Sequence, residues 1–278
     1  TTAILTTDGR LFTVGRNTCG QLCRNGTSDD SNLAEVKLSF KVKDVSLGND
    51  HMLLVDSAGN LWGIGSNAYG ALGPTNVGGN VTTLTKIDTG VAFASAGRRS
   101  TVYVKNDGTL WGVGDNRWKK TSQNHGDQIH TPIQMASNIE FLDSGEHQIL
   151  AVDHTGQLYY SGWRTLHGFN QGGGNNPTFV PVMKNVKKAD IYFGNMVILT
   201  VDGKAYVYGL NTEGGIGSTV TDGTPKQILE GVLDVAAGYG FTAYLMEDGT
   251  LRILGDNSFG QAGNGTTGGT VRMAEAGI

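Results

Sequence analysis

The chain has 278 residues, 43 of them glycine, with 38% hydrophobic and 17% charged residues and a net charge of −4. That length buries a sizeable core, and so much glycine beside so many apolar residues points to tight turns in an all-β protein rather than to disorder. The weak acidity argues against general nucleic-acid binding, which needs a clustered basic surface. No apolar run of about 18 residues predicts a membrane-inserting helix, and the start Thr1-Thr2-Ala3-Ile4-Leu5 shows no signal-peptide pattern.

Along the chain a glycine turn followed by a short apolar strand recurs six times: DGRLFTVG, AGNLWGIG, DGTLWGVG, TGQLYYSG, DGKAYVYG and DGTLRILG. The turn glycines are Gly9, Gly59, Gly108, Gly156, Gly203 and Gly249, spaced by 50, 49, 48, 47 and 46 residues. Before several of these turns lie runs such as HMLLVD (51–56), STVYVKND (100–107) and FTAYLMED (241–248), rich in β-branched and aromatic residues. Each glycine is expected in a two-residue turn that joins two strands as a hairpin, because such turns need a positive φ. Eleven residues earlier another glycine ends a preceding strand in four units, at Gly48, Gly97, Gly145 and Gly238. Three or four antiparallel strands per unit, six units and no helical pattern predict an all-β, six-bladed β-propeller of 46–50-residue repeats, one domain over 1–278. The end AEAGI joined to the start TTAILTTDG matches VAAGYGFTAYLMEDG (235–249) with one residue missing. This predicts a ring closed by pairing of the N- and C-terminal strands, with Thr1 and Ile278 close together, which would remove an open sheet edge.

Two loops carry a clear signature, Asn67-Ala68-Tyr69-Gly70-Ala71-Leu72-Gly73 and Asn257-Ser258-Phe259-Gly260-Gln261-Ala262-Gly263. Asn17-Thr18-Cys19-Gly20-Gln21-Leu22-Cys23 and Asn211-Thr212-Glu213-Gly214-Gly215-Ile216-Gly217 are weaker copies. Together with the turn glycines they resemble the regulator of chromosome condensation family, whose loop signature is N-x-x-G-x-L-G. The wording of GDNSFGQAGNGTT is more similar to bacterial or phage versions than to the nuclear one. Two departures stand out: six blades where family members usually have seven, and loops 114–121 (GDNRWKKT) and 161–168 (SGWRTLHG) that have lost the signature. The resemblance implies a propeller. Because the family includes nucleotide-exchange factors, enzyme inhibitors and interaction modules, it does not fix the function.

Hairpin connectivity places the turns at Gly48 and its equivalents on the same side as the N-x-x-G loops. On that face the third unit carries Arg98 and Arg99 in the turn and Arg117, Trp118, Lys119 and Lys120 in the loop. Between residues 98 and 120 six basic and two acidic residues give +4 in an acidic protein, and the next unit adds Trp163, Arg164 and His167. Tryptophan and arginine are favoured at binding hot spots, so these nine residues form the candidate partner-binding site. The competing reading is ordinary solvated loop residues, with Trp118 in place of the aromatic wedge of Tyr69 and Phe259.

Other residues point to structure. Trp62 and Trp111 occupy equivalent strand positions and are expected in the packing between blades, and His51 is expected as a packed residue. Cys19 and Cys23, spaced C-x3-C, could bind a metal or close one small loop, but with no second Cys/His pair beside them they read as reduced turn fillers. His125 and His130 flank Asp127 without closing ligands, so no metal site is assigned. No phosphate loop, nucleophile elbow or H-E-x-x-H occurs, and Gly112-Val113-Gly114 ends a strand rather than opening a helix. The expectation is a non-enzymatic binding or structural module, without cofactor, taking a protein or glycan partner. The bacterial-looking repeat, the low charge and the Gly/Thr/Asn-rich composition together lead to the expectation of an extracellular or virion-borne setting, within a larger assembly. The alternatives are an exchange regulator of a small GTPase, for which no long inserted wedge is visible, and a stoichiometric enzyme inhibitor.

Overall fold

The computed structural model describes residues 1–122, 124–163, 175–192, 195–209 and 224–277. It is all-β, six antiparallel sheets that are the blades of a β-propeller. The first sheet holds β1 (Thr2–Leu5), β2 (Leu11–Gly15) and β3 (Asp30–Glu35). The second holds β4 (Val42–Leu47), β5 (His51–Asp56), β6 (Leu61–Ser66) and β7 (Asn80–Asp88). The third holds β8 (Val91–Ala96), β9 (Ser100–Lys105), β10 (Leu110–Asp115) and β11 (Gln128–Ala136). The fourth comprises β12 (Ile139–Ser144), β13 (Gln148–Asp153), β14 (Leu158–Trp163) and β15 (Asn175–Met183). The fifth comprises β16 (Val186–Tyr192), β17 (Asn195–Thr200), β18 (Ala205–Gly209) and β19 (Lys226–Leu229). The sixth comprises β20 (Val232–Gly238), β21 (Phe241–Met246), β22 (Leu251–Asp256) and β23 (Thr270–Glu275). The chain divides into two compact units, Thr1–Glu146 and His147–Ile278.

In the first unit the apolar residues work on both faces of a strand. All six residues of β5 are buried. Met52 and Leu54 pack with Leu11 and Val36 of the first repeat, while Leu53 and Val55 pack with Val91, Ala94 and Tyr103 of the third. Because successive side chains point to opposite faces, a strand buried on both sides reads as a continuous apolar run. Trp62 and Trp111 lie, half-buried, at the edges of these two clusters, as their strand positions predict. The second unit repeats the arrangement, with Val197, Leu199 and Val207 packed against Val232, Val235 and Tyr244.

The hairpin glycine does two jobs. Gly59 has φ +78°, and the other five turn glycines lie between +76° and +83°. Its carbonyl accepts the N–H of Val91, the first residue of the next sheet, at 2.9 Å; Gly9 does the same for Val42, Gly108 for Ile139, Gly156 for Val186 and Gly203 for Val232. The turn is one residue longer than the expected two-residue form. Asp56 N–H donates to Asn60 and Gly59 N–H to Asp56, leaving Ser57, Ala58 and Gly59 as a three-residue loop that ends left-handed.

A second link uses side chains. Ser46 Oγ accepts the N–H of Ala96, Ser95 Oγ that of Ser144, and Asp190 Oδ2 that of Ala237. These acceptors share one position of the innermost strand, and each holds the neighbouring repeat about one period further on.

The chain end differs from the sequence expectation. Thr270–Glu275 pairs with β22 as the outer strand of the sixth sheet, through Arg252↔Glu275 and Ile253↔Ala274, and the first sheet has three strands among the described residues. Arg272 and Met273, which precede AEAGI, continue the strand outward, so Ala274 and Glu275 go with them. Ile278 lies outside the described residues.

Candidate functional site

The N-x-x-G loop is built around its asparagine. Asn67 is fully buried. Its Oδ1 accepts from Leu72 N–H at 2.8 Å, and its Nδ2 donates to the carbonyls of Gly73 and Thr75 at 3.0 and 2.6 Å. Asn17 and Asn257 make the same bonds to Leu22 and Gly26 and to Ala262 and Thr266. The signature therefore specifies a loop that satisfies its own buried polar groups, and its asparagine is scaffold.

The loop after β10, which reads as lacking the signature, keeps this architecture. Asn116 Oδ1 accepts from Thr121 and Ser122, and its Nδ2 donates to Ser122 and Gly126. The glycine position is filled by Lys119 at φ +53°, against +78° for Gly70. The copy at Asn211–Gly217 lies outside the described residues, as do Arg164 and His167.

Pairing of His51 with Gly65 sets the turn after β4 beside the loop after β6, so turns and loops share one face, as hairpin connectivity predicts. There Tyr69 is the platform of the first unit. The Arg99 guanidinium lies 4.3 Å from its ring centre and that of Arg117 5.0 Å. Stacking on an aromatic face leaves the in-plane N–H groups of arginine free to donate. Arg117 uses them on Asp115, with Nε–Oδ1 at 2.9 Å and Nη2–Oδ2 at 2.6 Å. Burial pushes the Asp115 carboxyl upward, but the hydrogen bonds and charge of Arg117 outweigh it and hold it below the usual range. Arg99 forms no ion pair among the described residues. Beside it opens a pocket of about 190 Å³ lined by Asp50, His51, Ser66, Ala68, Tyr69, Ala71, Arg98 and Arg99.

The basic cluster counted along the sequence is largely neutralised in space. Arg98 pairs with Glu146, Arg117 with Asp115 and Lys119 with Asp127. Lys120 is a correction to the candidate surface: it is 2% exposed, because its place in the loop is that of the buried Ala71 and Gln21. Its ammonium lies 3.4 Å from the Glu146 carbonyl, and burial lowers its pKa to about 8 against the pull of Asp115 and Glu146. Trp118 is half-buried. In the second unit Trp163 meets His147 edge-on at 5.6 Å. The structure thus joins Arg99, Arg117 and Tyr69, removes Lys120 from the surface, and adds Asp50, His51 and Ser66 as pocket walls.

The residues assigned to structure behave so. His51 is buried, and burial lowers its pKa to about 4. Cys19 and Cys23 are free thiols, and burial pushes that of Cys23 up to about 12. His125 bonds Ser122 and His130 bonds Gln128. Trp62 stacks on Phe40 at 5.3 Å and donates its Nε1–H to Asp56 at 2.8 Å.

The regulator of chromosome condensation (RCC1) repeat matches residues 1–21, 42–71 and 232–261. The ultraviolet-B receptor UVR8 of Arabidopsis thaliana is 28% identical over 256 residues, 84% of this chain and 57% of the receptor. The secretion-regulating guanine nucleotide exchange factor of Bos taurus is 38% identical over 76 residues, 25% of this chain and 16% of that protein. The chain thus spans little more than half the length of the first of these relatives and far less of the second. Yeast RCC1 (Prp20), solved with Kap60 bound, superposes with a TM-score of 0.85 at 14% identity, covering 99% of this chain and 72% of the yeast chain. That likeness is one of fold.

Proposed function

We propose, on the premise that this chain is a β-propeller of the regulator of chromosome condensation repeat family, that it is a non-enzymatic module that binds a protein through the loop-bearing face of its first unit. One observation carries the reading: Tyr69 clamped by Arg99 and Arg117 at the rim of a small pocket. Aromatic and arginine side chains held in place in advance lose little entropy on binding and dominate interface energetics. The relative named as a guanine nucleotide exchange factor supports a macromolecular partner.

A finer setting within a larger surface or virion assembly rests on the low-charge, glycine-rich composition. The alternative, regulation of a small GTPase by nucleotide exchange, rests on the exchange-factor relative; accelerated nucleotide release from a tested GTPase is its readout. A glycan partner or an enzyme target would leave the same face in use.

The test is isolation from the native source under mild conditions, with mass measurement of what travels with the chain. The wild type is compared with Tyr69→Ala/Arg99→Glu and with a hairpin-side control, Lys41→Glu. A protein retained by wild type and control and lost by the loop variant is the expected result. Retention by all three removes this face from the function, and a chain running alone at 29.4 kDa removes the assembly.

A further inference from the structure

Arg99 and Arg117 stand on the same tyrosine, and only one of them is satisfied. Arg117 lies on the Tyr69 ring and grips the carboxylate of Asp115 with its in-plane donors. Arg99 lies closer to the ring, at 4.3 Å, and no carboxylate of the described chain reaches it. The charges around it are spoken for. Asp50 pairs with Arg16 at 3.1 Å and Arg98 with Glu146, leaving Arg99 as the uncompensated charge among the described pocket walls. His51 also lines the pocket, is 2% exposed, and has an Nε2 with no hydrogen-bond partner. The pocket, about 190 Å³, holds the volume of about six waters, enough for a short side chain ending in a planar group.

We propose that this pocket takes the carboxylate of a glutamate or aspartate side chain of a partner protein, gripped by Arg99 as Asp115 is gripped by Arg117, with the neutral His51 ring as a pocket wall. The inference rests on the loop-face reading above and adds the chemistry of its central contact. Arginine fits the role because its planar fork matches a carboxylate while its face stays on the ring. No proton is transferred; the bond is a charge-assisted hydrogen bond.

The test uses the full chain, isotope-labelled, titrated with N-acetylglutamate amide and separately with the isosteric N-acetylglutamine amide, read by NMR at the His51 ring and the Arg99 Nε–H. Saturable shifts are expected with the glutamate probe at about millimolar dissociation constant, the strength of one charge-assisted contact. The glutamine probe should bind about tenfold more weakly or worse. Arg99→Gln should abolish the His51 response with the melting temperature unchanged, and Arg99→Lys should keep part of it. Equal shifts from both probes, no saturation in the wild type, or a response that survives Arg99→Gln overturns the proposal. If the probe fails while Tyr69→Ala/Arg99→Glu still loses the native partner, the carboxylate assignment falls and the loop face stands. If the probe binds while the variant keeps its partner, the pocket chemistry stands and the loop-face function falls.

Discussion

Lys119 shows how a backbone angle, rather than a residue identity, defines the loop. Gly20, Gly70 and Gly260 occupy the equivalent position at φ +78° to +84°, where Lys119 sits at +53°. A side chain there costs about 1–2 kcal/mol. Lys119→Gly should therefore be more stable than Lys119→Ala by about 1 kcal/mol in urea melts, since both lose the Asp127 ion pair and only glycine relieves the backbone. Equal stability would show that the loop imposes no strain. Asn67 carries a larger share. Asn67→Ala strands Leu72 N–H and two carbonyls, and should cost about 3 kcal/mol. Two buried bases contribute to the pH response. Burial lowers His51 to about 4, so its contribution is complete above its ordinary 6.5 and is lost as pH falls from there toward 4. Burial lowers Lys120 to about 8 from 10.5, so the native state gains stability as pH rises between those values. Lys120→Met should flatten that alkaline rise while leaving the acid limb in place; an unchanged slope would mean that Lys120 is not the titrating group.

Successive repeats are joined by a backbone bond from the hairpin glycine, and among the described residues three junctions also carry a side-chain bond that spans about one period. The carbonyl of Gly59 receives Val91 N–H, and Ser46 Oγ receives Ala96 N–H. Gly59→Ala keeps the carbonyl but forces a side chain into φ +78° with its Cβ 3.3 Å from the Val91 carbonyl. It should cost about 2 kcal/mol, more than Ser46→Ala at about 1 kcal/mol. The reverse order in denaturation midpoints would place the coupling in the side chains. The glycines were legible because a positive φ leaves glycine at a constant spacing, and the strands because both-face burial leaves unbroken apolar runs. Ser46, Ser95 and Asp190 were not, since serine and aspartate alternate at that position and neither is periodic as a letter. The loop at Asn116 escaped for a related reason: its asparagine remains, while lysine stands where glycine marks the other copies. The turn length was misread because Asp-Gly in sequence does not reveal that the hydrogen bond closes on the residue after it.

Across the molecule, charge is paired rather than pooled, and this governs what salt does. The window 98–120 holds an excess of four positive charges, yet Glu146 and Asp127, which neutralise two of them, lie outside it in sequence. Many of the remaining pairs are exposed, such as Arg10–Asp8 at 55% and 56% and Lys204–Asp202 at 36% and 54%. Exposed pairs contribute about 0–1 kcal/mol each and are screened, and a net charge of −4 over 278 residues adds little self-repulsion. Cohesion resides instead in apolar clusters such as Leu53, Val55, Val91 and Tyr103, which salt does not screen. Raising sodium chloride from about 0.05 to about 0.5 M should therefore shift the melting temperature by only about 1–2 °C. Over the same range the glutamate probe should lose affinity severalfold at Arg99, because that contact depends on an uncompensated charge. A melting temperature that falls steeply with salt would move the source of stability from the apolar clusters to the ion pairs. A probe affinity indifferent to salt would show that Arg99 does not hold its ligand by charge.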